Sequence, residues 1–235
     1  MIDIHSHIIY DVDDGSSSIE ASISLIKKEI ENGVTDIVCT PHYRQNMFET
    51  SLEKIKENFL ELKNLVKNLD VNLYLGQEIY VKSYNILKEH LQKGKVLTIN
   101  NTKYLLLEFS YTYEIDISEI VYNLQLNGYK VIIAHIERYE YLDIDKIVEI
   151  KNIGALMQIN ASSLIGKNGL KLKSKCKKYL KNNVVSFVSS DIHESRENYM
   201  MKAFNFIKKH YGSEMANSLF IENAKILINK RKENE

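Results

Sequence analysis

The amino-acid sequence predicts an α/β protein built as an irregular seven-stranded TIM-like (βα)7 barrel. Short β-like apolar runs alternate with amphipathic helical stripes, seven such runs can be counted, and their carboxyl ends gather histidines and carboxylates. A repeating βα order implies parallel strands covered by helices. Seven strands suit an irregular barrel slightly better than an open doubly wound sheet, and either arrangement collects its chemistry at the carboxyl ends of the strands.

The strand candidates are Ile2–Ile4, Asp36–Cys39, Asn72–Leu75, Tyr104–Phe109, Val131–Ala134, Ala155–Ile159 and Val185–Ser189. Between the first two, Ile19, Ile23, Ile26 and Ile30 recur at helical spacing, opened by a Ser17-to-Glu20 capping box and stopped at Gly33. Leu52, Ile55, Phe59, Leu62, Val66 and Leu69 form a longer stripe, and Ile117, Ile120, Val121 and Leu124 a third. Met200, Phe204, Ile207 and Tyr211 form another near the end. Such stripes are the core-facing sides of helices. One domain spanning 1–235 is expected, with about 222–235 passing from helix into a frayed polar tail.

Composition excludes several function classes. The 31 Lys and Arg residues balance 31 Asp and Glu, so no charge excess draws the chain to nucleic acid or to a membrane surface. The apolar runs are far too short to span a bilayer. His5 follows Met1 so closely that no signal or transit sequence is expected ahead of it. Cys39 and Cys176, the only cysteines, read as free thiols in a reducing cytoplasm. The oligomeric state leaves no mark on the sequence.

The strand ends carry the chemistry. Strand one ends in His5 and His7, which on an extended chain share one face. Asp14 follows in the next loop, and His42, Glu78, Glu108, His135, Asp191 and His193 stand at or near later strand ends. The sixth strand offers only Gln158 and Asn160. A lone strand-end histidine is usually a satisfied structural residue; nine such groups on successive strands are not explained that way. A carboxylate beside three leucines, as Glu108 is, is costly without a cation. Mixed imidazole and carboxylate donors suit Mn, Fe or Zn better than Ca, and nine donors imply two or three ions with a bridging carboxylate.

Other features read as structure. Asp11–Gly15 looks like an EF-hand opening, but its glycine is one place early and Ser22 stands where the loop needs Glu. His90 and His210 read as surface residues of helices, Cys39 as a strand-core thiol, and the lysines from Lys167 to Lys181 as a solvated helix face. Tyr43, Arg44, Tyr139 and Tyr141 flank the site, either as a substrate groove or as ordinary loop aromatics.

The ordered set His5-x-His7, Asp14, His42, Glu78, Glu108, His135, Asp191-x-His193 resembles the polymerase and histidinol phosphatase (PHP) superfamily. Within it, Asp3–Ile8, Asp11–Gly15, Thr40–Tyr43, Gly76–Glu78 and Ala134–Tyr139 are similar to the bacterial metal-dependent protein tyrosine phosphatases of capsule and exopolysaccharide operons. The resemblance implies the PHP fold, a distorted seven-stranded barrel, with three divalent ions, most often manganese, with Fe, Co or Zn as alternatives. It implies that His5, His7, Glu78 and Asp191 hold the first ion. Glu78 would bridge to a second held by Glu108 and His135, while Asp14, His42 and His193 would hold the third. Arg138 and Arg196 match basic residues that engage the phosphoryl group, although the Glu194–Arg196 segment is short for this family. The implied substrate is a phosphotyrosine protein, the tail of a cytoplasmic tyrosine autokinase controlling polysaccharide synthesis.

The expected chemistry is phosphomonoester hydrolysis by in-line attack of metal-bound hydroxide, without a phospho-enzyme. A phenol leaving group, with a pKa of about 10, reduces the need for a strong general acid. A cysteine-based phosphatase needs Cys, five residues, then Arg; Gln45 and Asn182 occupy the required places after Cys39 and Cys176. The alternatives are a histidinol-phosphate or other small phosphomonoester phosphatase, a phosphodiesterase or nuclease, an amidohydrolase, and a metal-bound scaffold without turnover. The balanced charge weighs against the nuclease.

Overall fold

The computed structural model describes residues 1–229, so the expected frayed tail, Lys230–Glu235, lies outside the described residues. Nine short strands occur among them: β1 Ile2–Ser6, β2 Asp36–Cys39, β3 His42–Tyr43, β4 Asn72–Leu75, β5 Glu78–Tyr80, β6 Tyr104–Glu108, β7 Lys130–Ile133, β8 Leu156–Asn160 and β9 Phe187–Ser189. Every pairing between strands is parallel. One sheet has the order β1-β2-β4, the other β3-β5-β6-β7-β8-β9.

All seven expected runs form strands, with ends shifted by at most two residues. The two additional strands continue β2 and β4 beyond short interruptions. Pro41 has no N–H for a ladder, and the chain passes from one sheet to the other at Thr40–Pro41 and again at Gly76–Gln77. The result is a curled parallel sheet whose end strands approach each other. The Asp191 amide donates to the His5 carbonyl at 2.9 Å, and the His7 amide to the Ile192 carbonyl at 3.0 Å.

Helices cover the outside: α1 Ile19–Glu31, α2 Leu52–Leu65, α3 Tyr84–Gln92, α4 Ile117–Leu126, α5 Ile144–Ile153, α6 Ala161–Ile165, α7 Leu170–Lys181, α8 Met200–Tyr211 and α9 Ser213–Asn217, while α10 Lys225–Ile228 packs against the inner cluster. The cap of α1 falls one residue later than the sequence suggested. Ser18 accepts from the Ala21 amide, because the Ser17 amide is taken by Glu194 Oε2 at 2.9 Å. Helix α2 stops at Leu65, so Leu69 packs against the core from beyond its end.

Alternate strand residues serve two cores. Ile37, Leu105, Leu107, Val131 and Ile133 face outward beneath the helices, while Ile4, Val38, Leu106, Ile132 and Phe187 face inward. Ile99, Ala224 and Leu227 close the amino-terminal end of the inner face. In β1 the pairing register slips between Asp3 and Ser6, so three residues of β1 oppose two of β2. That bulge decides the site. Ile2 and Ile4 point inward with the apolar cluster, and unbroken alternation would send His5 outward with Asp3. The extra residue re-aims His5 inward, where His7 follows it.

Candidate metal centre

All nine expected donors converge at the carboxyl end of the inner face, in four overlapping groups: His7 with Asp14, His42 and His193; His5 with Glu78 and His135; His5 and His7 with Asp191; and His42 with Glu78 and Glu108. Donor atoms in each group lie within 4.8 Å of one another. His5 and His7 Nε2 each stand 3.2 Å from Glu78 Oε2 and 3.7 Å from Asp191 Oδ1. The other Glu78 oxygen, Oε1, is 2.8 Å from His135 Nε2, which is 3.8 Å from Glu108. Asp14 Oδ1 is 3.6 Å from His42 Nε2 and 3.7 Å from His193 Nε2.

Backbone irregularity aims several of these groups. His135 and Asp191 both adopt left-handed backbone, with φ of 32° and 51°. Such a conformation costs about 1–3 kcal/mol per residue and persists where surrounding structure over-determines it. Gly15 lets the Asp13–Asp14 loop lie on His7, since a Cβ there would collide with the His7 carbonyl oxygen.

A layer of polar residues orients the donors. The Gln158 Oε1 accepts from the His135 amide at 2.6 Å, which marks it as an acceptor, so His5 Nδ1 must carry the proton in its 3.3 Å contact with that atom. Asp13 Oδ2 accepts from His7 Nδ1 and from the His42 amide, each at 2.8 Å. In the neutral rings both Nε2 atoms are thereby left as acceptors, yet they lie 3.1 Å apart. Two lone pairs at that distance need a proton or a metal ion between them. Asp191 Oδ2 is held by Arg138 and Asn160 at 2.7 Å each and by Arg196 at 2.9 Å, leaving Oδ1 to face the histidines. Asp3 ties the outer side together, accepting from the His5 amide at 3.2 Å and from the Ser190 amide at 3.1 Å.

The electrostatics favour cations. Burial pushes the Glu78 carboxyl up, but His5, His42 and His135 around it hold it well below the carboxylate range. Burial likewise raises Asp191, and Arg138, His5 and Arg196 more than reverse this. Glu108 is raised to about 7 by burial and by the Glu78 charge beside it. The donor atoms His42 Nδ1, Glu78 Oε2 and His193 Nε2 are buried without a hydrogen-bond partner. His42 Nδ1 and Glu78 Oε2 are 3.0 Å apart without hydrogen-bond alignment, the arrangement of ligands aimed at a shared point rather than at each other. Carboxylates at this density, converging with imidazole nitrogens on shared points, are what divalent cations hold together.

A cavity of about 170 Å³ opens onto the donors, lined also by Arg44, Phe48, Tyr111, Arg138 and Arg196. Arg196 reaches the site despite its short segment, donating to the Asp191 carbonyl at 2.9 Å. Of the flanking residues expected at the mouth, Arg44 lines it, over the Tyr80 ring at 4.2 Å. Tyr43 and Tyr139 instead belong to the core, and the Tyr139 hydroxyl donates to the Ala134 carbonyl at 3.0 Å. The aromatic that the sequence reading missed is Tyr111, whose hydroxyl donates to Glu108 at 2.5 Å and accepts from Arg138 at 3.3 Å. No periodic signal marks it, because it lies in an irregular loop. His90 is also corrected: it is buried, edge-on to Tyr43, while His210 is exposed as expected. The lysines of α7 are not wholly a solvated face, since Lys175 donates to the Tyr139 carbonyl at 2.6 Å. Cys39 and Cys176 are free and fully buried, and burial pushes both thiols up, so neither is a thiolate nucleophile.

Fold and site together define an α/β protein with a multidentate metal-donor cluster at the carboxyl ends of parallel strands. The family described as "Capsular polysaccharide synthesis, CpsB/CapC" matches residues 1–229. The chain belongs to this family. It is 38% identical to the tyrosine-protein phosphatase CpsB of Streptococcus pneumoniae over 240 residues, covering 97% of this chain and 98% of that protein. It is 39% identical to a putative tyrosine-protein phosphatase CapC of Staphylococcus aureus, covering 97% and 91%. Among solved structures, one described for YwqE from Bacillus subtilis and CpsB from S. pneumoniae, as unique metal-dependent tyrosine phosphatases, matches with a TM-score of 0.90. Its identity is 29%, over 98% of this chain and 96% of that one. No helix among the described residues is long and apolar enough to cross a membrane.

Proposed function

We propose that this protein is a metal-dependent protein tyrosine phosphatase, acting in the cytoplasm on the tail of a tyrosine autokinase that regulates capsular or exopolysaccharide synthesis. The observation that carries the reading is the 3.1 Å approach of two Nε2 atoms on rings whose Nδ1 atoms both donate elsewhere, framed by Glu78 and Asp191. We assign His5, His7, Glu78 and Asp191 to one ion, Glu78, Glu108 and His135 to a second, and Asp14, His42 and His193 to a third, with manganese the expected metal. The nine strands are read as seven barrel positions, two of them interrupted, in a single domain; the family match over residues 1–229 supports that.

Divalent ions held there supply Lewis acidity that makes water nucleophilic near neutral pH and offsets charge on the phosphoryl oxygens. The chain's own residues do the rest. Arg138 and Arg196, both at the mouth and both resting on Asp191, offer forked N–H donors to the equatorial oxygens. The Tyr111 hydroxyl donates to Glu108 at 2.5 Å and so orients that carboxylate. A phenolate leaving group, whose acid has a pKa of about 10, asks little of a general acid.

Chelated protein reconstituted with Mn, Fe, Co or Zn and assayed on a phosphotyrosine peptide tests this directly. Turnover with at least one metal, exceeding that on histidinol phosphate, is expected. Faster hydrolysis of histidinol phosphate would favour a small-molecule phosphatase, and no turnover of either with any metal would favour a scaffold.

A further inference from the structure

We propose that a second, larger groove beside the metal centre holds the polypeptide flanking the phosphotyrosine, and that Lys167 selects an acidic residue in it. This rests on the phosphatase reading and adds a peptide subsite to it. The cavity over the metal donors, about 170 Å³, has room for little beyond the phosphorylated side chain. Next to it lies a cavity of about 750 Å³ that shares Tyr111, Arg138 and Arg196 with it. Those three residues form the partition, so a chain carrying its phosphotyrosine into the smaller cavity continues directly into the larger one.

The far wall comes from the turn between α6 and α7 and from the start of α8. Lys167, Asn168 and Tyr199 line it. Asn168 is tied down by the hydroxyls of Ser162 and Ser163, at 3.0 and 3.2 Å. Lys167 is exposed and its ammonium lies 5.5 Å from the centre of the Tyr199 ring. The lining holds three cations, Arg138, Lys167 and Arg196, against two acids, Glu140 and Glu197. Lys171 pairs with Glu140 at 3.4 Å, and both arginines rest on Asp191 and face the phosphoryl group; among the described residues Lys167 and Glu197 are the lining charges without an ion pair, so Lys167 is the lining cation left for a ligand carboxylate. Hydroxyl and amide groups of Ser162, Ser195 and Asn168 suit a peptide backbone.

The Mn-loaded enzyme is assayed on three substrates: p-nitrophenyl phosphate, a phosphotyrosine nonapeptide with Asp on both sides, and the same peptide with Lys. The parent enzyme is expected to prefer the Asp peptide, less so as salt is raised. Lys167→Glu, an exposed change, is expected to raise KM for the Asp peptide about five- to tenfold while leaving p-nitrophenyl phosphate unchanged. An unchanged Asp-to-Lys peptide ratio in the variant overturns the proposal. So does an equal loss on p-nitrophenyl phosphate, which would place the effect at the arginines. Parent enzyme that hydrolyses both peptides equally at every salt concentration overturns the groove alone, whereas hydrolysis of neither peptide overturns the phosphotyrosine-protein reading itself.

Discussion

At the amino-terminal end of the inner face, Ile4, Leu106 and Ile132 pack against Ile99 and Leu227. Further along, at or just beyond the carboxyl ends of the same strands, stand His5, Glu108 and His135. The floor needs only the regular pleat, because any apolar side chain on the correct parity is stabilised there by about 1.5–3 kcal/mol. The rim works the other way. Each buried ion costs several kcal/mol before it finds a partner, and most of the donors are aimed by an irregularity: the β1 bulge, the interruptions at Pro41 and Gly76, and left-handed His135 and Asp191. Stability is thus concentrated in the regular half and chemistry in the irregular half.

Substitutions can separate the two halves, beginning with Glu78→Gln. Glu78 faces His5 and His7 with one oxygen and His135 with the other. Removing its charge is expected to lower kcat/KM about 10³-fold, the several kcal/mol that a metal-bridging charge supplies at about 1.4 kcal/mol per decade. Melting of the metal-free protein should fall by no more than a few degrees, since the histidines that hold the Glu78 carboxyl below its ordinary range lose their charged partner. Metal content by mass spectrometry and a thermal melt check both; a melt lowered by many degrees would make the rim part of the scaffold.

Leu106→Ala applies the opposite stress, two residues below Glu108 on the same strand. It should cost about 2–5 kcal/mol of stability through a floor cavity, measured by denaturant unfolding, while the folded fraction keeps its metal and its rate. Gln158→Leu probes the layer between. It removes the acceptor that fixes the His5 proton on Nδ1, and metal affinity should fall about 10–100-fold. Gln158→Glu keeps that oxygen and should recover most of the loss; failure to do so would reduce Gln158 to a packing role.

The floor and the order of the strands were legible in the sequence because apolar alternation is a period, and periods survive without a structure. The nine candidate donors that converge there were legible for a related reason: charged residues at the ends of apolar runs violate the pattern. The bulge was not. Ile2, Ile4, His5 and His7 cannot all share a face on a regular strand, and their presence in one short run was the available signal. Asp13, Gln158, Asn160 and Tyr111 escaped because their roles are hydrogen bonds to residues distant in sequence, which no local spacing encodes. The buried His90 escaped because a helix carrying lysines on either side of it reads as a surface.

The mildest test reaches the back of the rim, where two acids meet without being donors. Glu29 on α1 is fully buried, and both its carboxylate oxygens lack a hydrogen-bond partner. Burial, and then the charge of Asp3 nearby, push its pKa well above the ordinary carboxylate range. Folded protein therefore keeps this proton at pH values where the unfolded chain has released it. Because the folded state binds more protons, stability is full below the unfolded pKa of about 4.5 and declines as pH rises towards the folded value. Glu29→Gln keeps the shape and cannot ionise. Its unfolding free energy should match the parent's near pH 4 and exceed it increasingly towards pH 8. Since the substitution leaves the inner face untouched, metal content and rate at pH 7 should stay level. Parallel stability curves for the two proteins would mean that Glu29 is ionised and paired, and the contrast between a self-sufficient floor and a costly rim would then stop short of α1.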